Sequence, residues 1–284
     1  MRSRMNDRRS WPLAALLLCA AIDASGIGAQ SLQSYDQARF DVRDMEPGDA
    51  PIIAGMCEAR QALRTGSMVR DPATWTGFHW SPHWHMHVKA FVAVDGDRIV
   101  GYVAYDPETK QLVVGEVGYT TPAVFSALLA HMARLAVERQ AEQIHLFMPP
   151  DDPFLEYCHR YGCKTELTYS RDAEGLGRIV DQEGLLGVLR PHFERRLAAG
   201  GMAHWQGALV VRTELGEHRV QFGRGGPSTT LAVPQWMLAQ LLLGYRSIAD
   251  VLLEATAQTS TEMLAVLNLL FPPGYPYVWA ADRF

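Results

Sequence analysis

Four histidines lie within one short segment of the sequence: His79, His83, His85 and His87. On an extended strand, side chains alternate between two faces, so the last three of these histidines would share one face. Three imidazoles on one face with an open fourth position are an arrangement that binds zinc. The alternative is a junction between a loop and a strand that is rich in His and Trp without binding a metal. We favour this alternative and expect no metal site.

The cysteines do not suggest a shared site either. Cys19, Cys57, Cys158 and Cys163 are spread widely and form no C-x-x-C pair. We interpret them as ordinary thiols, because a disulfide framework or a zinc knuckle would need closer and more regular spacing.

Composition and charge describe a globular protein and exclude one class of partner. The chain is 48% hydrophobic and 20% charged, which is enough apolar material for buried cores and too much for disorder. The net charge is −5, and no long basic run follows residue 10. Because a nucleic-acid surface needs clustered Lys and Arg to neutralise phosphates, we expect no nucleic-acid partner.

The N-terminus has the layout of a secretory signal. Arginines precede an apolar run at 11–21, and small residues at 24–26 resemble a cleavage site. This apolar run is too short to span a bilayer, so we expect no membrane span. The alternative is that residues 1–35 are the end of an upstream domain or an imperfect gene start.

Hydrophobic periodicity and turn residues predict an α/β (α+β) domain with a mixed sheet and flanking helices over residues 36–172. The expected elements are a strand at 37–44, a helix capped by Asp49, strands at 91–94, 99–104 and 112–119, a helix at 122–139, a strand at 143–148, a helix at 155–161 ending at Gly162, and a strand at 164–169.

A second, smaller α+β unit is predicted over residues 173–284. The expected elements are a strand at 177–180, a helix capped by Asp181, a hairpin of 208–213 with 218–222, a strand at 229–233, and helices at 235–243, 247–257 and 261–270. The last helix is apolar almost all round, which indicates that it is buried.

The order of elements from Phe40 to Tyr169 resembles the GNAT superfamily of acetyltransferases. The stretch Arg64–Trp75 resembles the G-(S/T)-x-x-R-x-x-x-x-W motif of one subgroup, the enhanced-intracellular-survival acetyltransferases. Similarity to this subgroup continues at 244–247, 270–279 and 282–284. In the subgroup, two GNAT-like domains precede a sterol-carrier-like domain. The resemblance therefore implies a GNAT-like domain followed by a sterol-carrier-like domain, with the bounds given above.

The resemblance implies that acetyl-CoA binds beyond the strand at 112–119. In GNAT proteins an Arg/Gln-x-x-Gly-x-Gly/Ala loop presents backbone N–H groups to the pyrophosphate at a helix N-terminus. Here the loop at 118–124 lacks the arginine and the paired glycines, and Pro122 removes one donor. The helix dipole and two threonine hydroxyls remain. The implied cofactor-binding residues are Val117, Tyr119, Thr120, Thr121 and Ala123.

Three residues are candidates for the chemistry. Glu116 lies on the strand where some relatives carry a general base, although a solvated side chain is the alternative. Cys158 takes the position of the family's catalytic tyrosine, and Tyr157 is one residue out of register on a helix, which suits a core residue better. In the relatives the terminal carboxylate points into the active site, so Phe284 would take that role here.

Two functions remain open. The first is an N-acyltransferase that moves an acetyl group from acetyl-CoA to an unidentified small-molecule amine. The alternative is a catalytically inactive GNAT-like domain whose sterol-carrier-like module binds an apolar ligand, a partner or another copy of the chain. In the relatives the first GNAT domain is catalytic and the second is degenerate, and this chain resembles the second. The resemblance favours the cytoplasm, with export as the alternative.

Overall fold

The computed structural model describes residues 12–13, 16–23, 39–62, 64–78, 80–81, 86–169, 175–255 and 260–282. The strands are β1 (Pro12–Leu13), β2 (Leu16–Asp23), β3 (Asp41–Asp44), β4 (Trp80–Ser81), β5 (Met86–His87), β6 (Lys89–Asp95), β7 (Arg98–Tyr105), β8 (Leu112–Tyr119), β9 (Gln143–Phe147), β10 (Cys163–Tyr169), β11 (Gly175–Leu176), β12 (Gly207–Thr213), β13 (Gly216–Phe222) and β14 (Ser228–Ala232). The α-helices are α1 (Ala50–Gln61), α2 (Phe125–Glu138), α3 (Pro153–Cys158), α4 (Gln182–Ala199), α5 (Gln235–Leu242), α6 (Ile248–Glu254) and α7 (Thr261–Leu270).

The chain divides into two compact units. The large unit comprises Leu16–Tyr169 and Tyr277–Phe284, and the small unit comprises Met1–Ala15 and Ser170–Pro276. The sequence prediction placed everything after residue 172 in the second domain. The structure instead assigns the chain from Tyr277 onward to the large unit, and the reason is burial: Tyr277 and Trp279 are 3% and 4% exposed within its core.

Seven of the described strands form a mixed sheet in the large unit, in the order β10-β2-β9-β8-β7-β6-β3. All neighbours are antiparallel except β8 and β9, which run parallel. The predicted α/β fold class with flanking helices is confirmed. Strand β2 lies in the apolar segment that has the layout of a signal. It pairs with β9 on one edge and with β10 on the other, and an apolar sequence suits a strand with a neighbour on both edges.

One predicted turn and one predicted helix cap differ in detail from the structure. The β6–β7 hairpin turns at Gly96 and Asp97, one residue later than predicted, with Gly96 at φ +61°. A short 3-10 turn precedes α1, so Asp49 does not cap the helix. Its carboxylate instead accepts hydrogen bonds from the Arg43 guanidinium at 2.7 and 2.9 Å, which lowers the pKa of Asp49. The same carboxylate also accepts from the Glu46 N–H at 2.8 Å, so Asp49 holds the turn before α1 rather than the first turn of the helix itself.

Helix α2 covers one face of the sheet with the predicted apolar stripe. Phe125, Leu128, Leu129 and Met132 are all buried. The helix starts at Phe125 rather than at Pro122, because residues 122–124 form a 3-10 turn. The Thr121 hydroxyl accepts from the Ala123 N–H at 3.4 Å, as expected for an N-cap.

The small unit packs helices against a three-stranded sheet of order β13-β12-β14. Asp181 caps α4 as predicted, accepting from the Gly184 N–H at 2.9 Å. The buried residues of α7 are Met263, Val266, Leu267 and Leu270, so this helix has one buried face rather than being buried all round. The sterol-carrier-like character of this unit stays a prediction.

Candidate functional site

The second half of β8 has no described strand as a partner on the side of β9, and this unpaired edge is here called the gap. The two strands pair only over Leu112–Val114, while β8 continues to Tyr119. The Thr120 N–H donates to the Val100 carbonyl at 2.9 Å, so the backbone groups of Thr120 face β7. Because these groups alternate along a strand, the carbonyl of Val117 faces the gap. A backbone edge without a strand partner is therefore available for another group to bind.

Arg60 of α1 binds at this edge. Its guanidinium donates one hydrogen bond to the Val117 carbonyl and another to the carboxylate of Asp152, which is 3% exposed. The guanidinium carbon lies 3.9 Å from the centre of the Tyr119 ring. The Tyr119 hydroxyl donates to Asp152 at 3.1 Å, and Asp152 also caps α3 through the Phe154 N–H at 2.9 Å. Two of the predicted cofactor contacts, Val117 and Tyr119, are thus bound by groups of the chain itself.

The turn that follows β8 uses its own backbone donors. The Thr120 N–H binds the Val100 carbonyl, the Ala123 N–H binds the Thr121 hydroxyl, and the Val124 N–H approaches the Thr121 carbonyl at 3.4 Å. The Thr120 hydroxyl also donates to the Val100 carbonyl, at 3.3 Å. The predicted contacts Thr120, Thr121 and Ala123 therefore lie together at the start of α2, and the N–H groups of Thr120 and Ala123 are hydrogen-bonded internally.

Glu116 lies in a buried network rather than on a solvated face. Its two carboxylate oxygens accept from the Arg70 guanidinium at 2.8 and 2.7 Å, and the side chains of Glu116 and Arg70 are 0% and 3% exposed. The Tyr102 hydroxyl donates to the same carboxylate. Burial and the neighbouring Glu116 raise the pKa of Tyr102 well above its usual value. Each charged or polar group in this network has a partner, as a buried ion pair requires.

The network extends to the end of the chain. Arg70 donates to Asp282 from Nε at 3.1 Å and from Nη2 at 2.7 Å. The Arg70 N–H donates to the Glu58 carboxylate at 2.6 Å, and the guanidinium lies 4.9 Å from the centre of the Trp75 ring. Sequence reasoning missed this network, although Arg70 and Asp282 both lie within the two motifs that carry the resemblance.

Tyr157 is a packed core residue whose hydroxyl is already hydrogen-bonded. Its hydroxyl is hydrogen-bonded to that of Tyr161 at 3.0 Å, and its ring lies 5.5 Å from Phe125. Burial, followed by the hydrogen bond with Tyr161, raises the pKa of Tyr157 well above its usual value. Cys158, at the family's tyrosine position, is fully buried, and burial likewise raises the pKa of its thiol.

Part of the predicted chemistry lies outside the described residues. This applies to Phe284 and to His79, His83 and His85, while only the backbone of His87 is described. Within the described part of the chain, no group of three or more His, Cys, Asp or Glu side chains is placed to hold a metal ion. None of the described helices combines the length and apolar character needed to cross a membrane.

Comparisons with known proteins agree with this geometry. Residues 66–170 match the family described as acetyltransferase (GNAT) domain. A comparison with curated proteins finds no match. Similar solved structures include a GCN5-related N-acetyltransferase from Anabaena variabilis, with 13% identity, a TM-score of 0.63, and 98% of this chain and 70% of that chain covered. A GCN5-related N-acetyltransferase from Kribbella flavida has 18% identity, a TM-score of 0.61, and coverages of 97% and 66%.

Eis1 from Mycobacterium abscessus is similar as well, with 17% identity, a TM-score of 0.55, and 100% of this chain and 72% of that chain covered. At these identities the likeness concerns the fold, and this chain spans roughly two thirds of the length of each of the three proteins. The family match covers residues 66–170, a little over a third of the chain, and the mixed sheet of the large unit agrees with the fold of these N-acetyltransferase structures.

Proposed function

We propose that the GNAT domain of this chain is catalytically inactive and serves as a structural module. The observation that carries this proposal is the bridge of Arg60 across the gap between β8 and β9. The guanidinium occupies the Val117 carbonyl and pairs with Asp152, so the strand edge expected to bind acetyl-CoA is already bound. A cofactor would have to displace a charged group from a carboxylate that is 3% exposed.

The turn after β8 supports the same proposal. GNAT domains generally bind acetyl-CoA, and a pyrophosphate needs free N–H donors at a helix N-terminus. Here the Ala123 N–H is satisfied by Thr121 and the Thr120 N–H by Val100. The residues present do not fit the pyrophosphate in the usual mode.

The environment of Glu116 also supports the proposal of an inactive domain, because it prevents this carboxylate from taking up a proton from a substrate. A general base needs a free oxygen within reach of the proton that it takes. Both oxygens of Glu116 accept from Arg70, and the side chain is completely buried. We propose that this carboxylate is structural, and that Tyr157, whose hydroxyl is paired with Tyr161, is structural as well.

The second candidate function is transfer of an acetyl group from acetyl-CoA to an amine. One observation favours it: the pairing of β8 with β9 ends at Val114 while β8 continues to Tyr119, which leaves an edge of β8 without a described strand partner where a GNAT domain would bind its cofactor. If acetyl-CoA binds at this edge, it has to break the Arg60 bridge first. Removing the bridge should then tighten binding, because the cofactor would no longer have to displace it.

Calorimetric titration of acetyl-CoA separates the two candidates. For an inactive module we expect no saturable heat up to roughly 500 µM acetyl-CoA, a concentration that would detect a Kd in the usual cofactor range. Saturable heat in the wild type, strengthened in an Arg60→Ala variant, would overturn this proposal in favour of the enzyme. Arg64→Ala is the matched control, because it removes a nearby arginine that follows the end of α1 and pairs with Asp151 at 2.7 Å instead of with Asp152.

A further inference from the structure

The C-terminal segment Tyr277–Asp282, here called the tail, is held against the large unit by three kinds of contact. The Tyr277 N–H donates to the Thr65 carbonyl at 3.3 Å, and the Ser67 hydroxyl donates to the Tyr277 carbonyl at 3.2 Å. The Trp279 indole N–H reaches the Gln61 side-chain oxygen at 2.8 Å, in the amide orientation that satisfies the neighbours of Gln61. Hydrogen bonds that Arg70 donates to the Asp282 carboxyl complete the attachment.

The group formed by Arg70, Glu116 and Asp282 carries one more negative charge than positive charge when both carboxylates are ionised. Arg70 Nη2 donates to Glu116 Oε2 and to Asp282 Oδ2, both at 2.7 Å, so one nitrogen joins two carboxylates. Glu116 is completely buried and takes two hydrogen bonds from Arg70. One guanidinium neutralises one carboxylate, so the docked tail places a second negative charge in a poorly solvated site.

Among the described residues, the other groups around Asp282 supply no further positive charge. The groups that act on Asp282 are Arg70 from the segment after α1, Glu116 from β8 and Glu58 from α1. The thiol of Cys57 and the phenol of Tyr102 belong to the same buried network. Burial raises the pKa of both groups, so they stay neutral. Within the described part of the chain, a proton is therefore the way to balance the site, and Asp282, 13% exposed, is the carboxylate that solvent reaches.

We propose that the tail is a pH-sensitive strap, which docks more tightly when Asp282 takes up a proton and loosens when Asp282 is ionised.

The direction follows from linkage. Burial, followed in size by opposing contributions from Arg70 and Glu116, raises the pKa of docked Asp282 from 3.8 to about 6. A released Asp282 has its ordinary pKa, so the docked state binds more protons between these two values. Docking is therefore strengthened as the pH falls through this range. The expected change in the docking equilibrium is about tenfold between roughly pH 7.5 and pH 5.

Fluorine NMR of protein labelled with 5-fluorotryptophan tests the strap in the full-length chain. The Trp279 resonance, assigned with a Trp279→Phe variant, reports whether the indole is in the core or in water. We expect the ratio of docked to released tail to rise as the pH falls below the docked Asp282 pKa of about 6, by about tenfold between roughly pH 7.5 and pH 5. The Asp282→Asn variant keeps the hydrogen-bonding shape without the charge, so its tail should stay docked with no dependence on pH.

Asp95→Asn is the matched control, because Asp95 pairs with Arg39 on the surface at 3.0 Å and is 40% exposed. The Trp279 signal of this variant should depend on pH as it does in the wild type. The proposal is overturned if the Trp279 signal of the wild type is constant over this pH range, or if Asp282→Asn keeps the wild-type dependence. A carbon-13 titration of the Asp282 carboxyl gives a second reading, and a midpoint near the ordinary value of 3.8 would also overturn it.

Discussion

The guanidinium of Arg70 and the carboxylate of Glu116 form a two-hydrogen-bond ion pair in which the side chains are 3% and 0% exposed. Neither charge is tolerated alone at this depth, because the pair repays the desolvation of both groups only while both are present. The pair links the segment after α1 to the middle of β8, beside the gap in the sheet.

Replacing Arg70 tests how much the large unit depends on this pair. Arg70→Met leaves Glu116 buried without a counter-charge, and we expect the free energy of unfolding to fall by about 3–5 kcal/mol. Urea denaturation followed by circular dichroism measures the change. Arg39→Met is the control, since Arg39 is 59% exposed in its pair with Asp95. Its loss should cost less than about 1 kcal/mol. Equal costs for the two variants would contradict the role given to the buried pair.

Gly118 is required where the Tyr102 ring crosses β8. A Cβ at Gly118 would lie 1.9 Å from a carbon of that ring, which is fully buried. Gly118→Ala should therefore destabilise the protein by at least about 1–3 kcal/mol through overpacking. Gly55→Ala is the matched control, because nothing lies within 4 Å of the added methyl group in α1. It should stabilise the helix by about 0.5–1 kcal/mol. This explanation would be refuted if thermal melting gave both variants melting temperatures above that of the wild type, or both below it.

Trp279 should contribute to the stability of the large unit although it follows the small unit in sequence. The side chain is 4% exposed in the large core. Trp279→Ala should cost about 3–5 kcal/mol by leaving a cavity. Hydrogen exchange should show the loss of protection in the large sheet, around β8. Leu253→Ala serves as the control, because Leu253 is 83% exposed and its truncation should change stability by no more than about 0.5 kcal/mol. Loss of protection confined to α4–α7 would argue against this assignment.

Strand β2 should be needed for a soluble large unit. Deleting residues 2–23 removes the strand that pairs with β9 and β10, and so exposes the hydrogen-bonding edges of both. Unpaired edges favour aggregation, so we expect the truncated protein to elute as large species in size-exclusion chromatography. Deleting residues 2–9 keeps the strand and is the control. A truncated protein with the melting temperature of the full chain would show that β2 is dispensable.

His131 should make the fold sensitive to acid. Burial, followed by the nearby charge of Arg134, lowers the pKa of His131 from 6.5 to about 4. The unfolded chain therefore binds a proton that the folded chain does not, and stability is lost as the pH falls through this range. His131→Asn should lose less stability than the wild type between these limits in urea denaturation. His192→Asn on the exposed side of α4 is the control and should follow the wild type. The pKa of Asp282 is shifted upward, opposite to that of His131, so the comparison uses the difference in unfolding free energy between His131→Asn and the wild type.

Local patterns in the sequence were enough to predict most elements of the fold. The apolar spacing of Phe125, Leu128 and Met132 predicted α2, and Asp181 and Gly162 predicted a cap and a helix end that the structure confirms. These features depend on contacts within a few residues, so hydrophobic period and capping chemistry are visible in the sequence itself. The resemblance to GNAT proteins, rather than these local patterns, implied that β8 and the turn after it are the place to look for a site.

Only the tertiary structure decided what that place contains. Arg70 meets a carboxylate 46 residues away and another 212 residues away, and Arg60 meets Asp152 across 92 residues. Hydrophobic periodicity in the sequence does not predict such pairings, because they depend on where the chain returns after the sheet has formed. Burial is likewise a property of the assembled sheet: it turns Glu116 from an expected candidate base into half of an ion pair. The sequence by itself thus determined the order of elements, and packing decided which side chains share a site and which charges are left free.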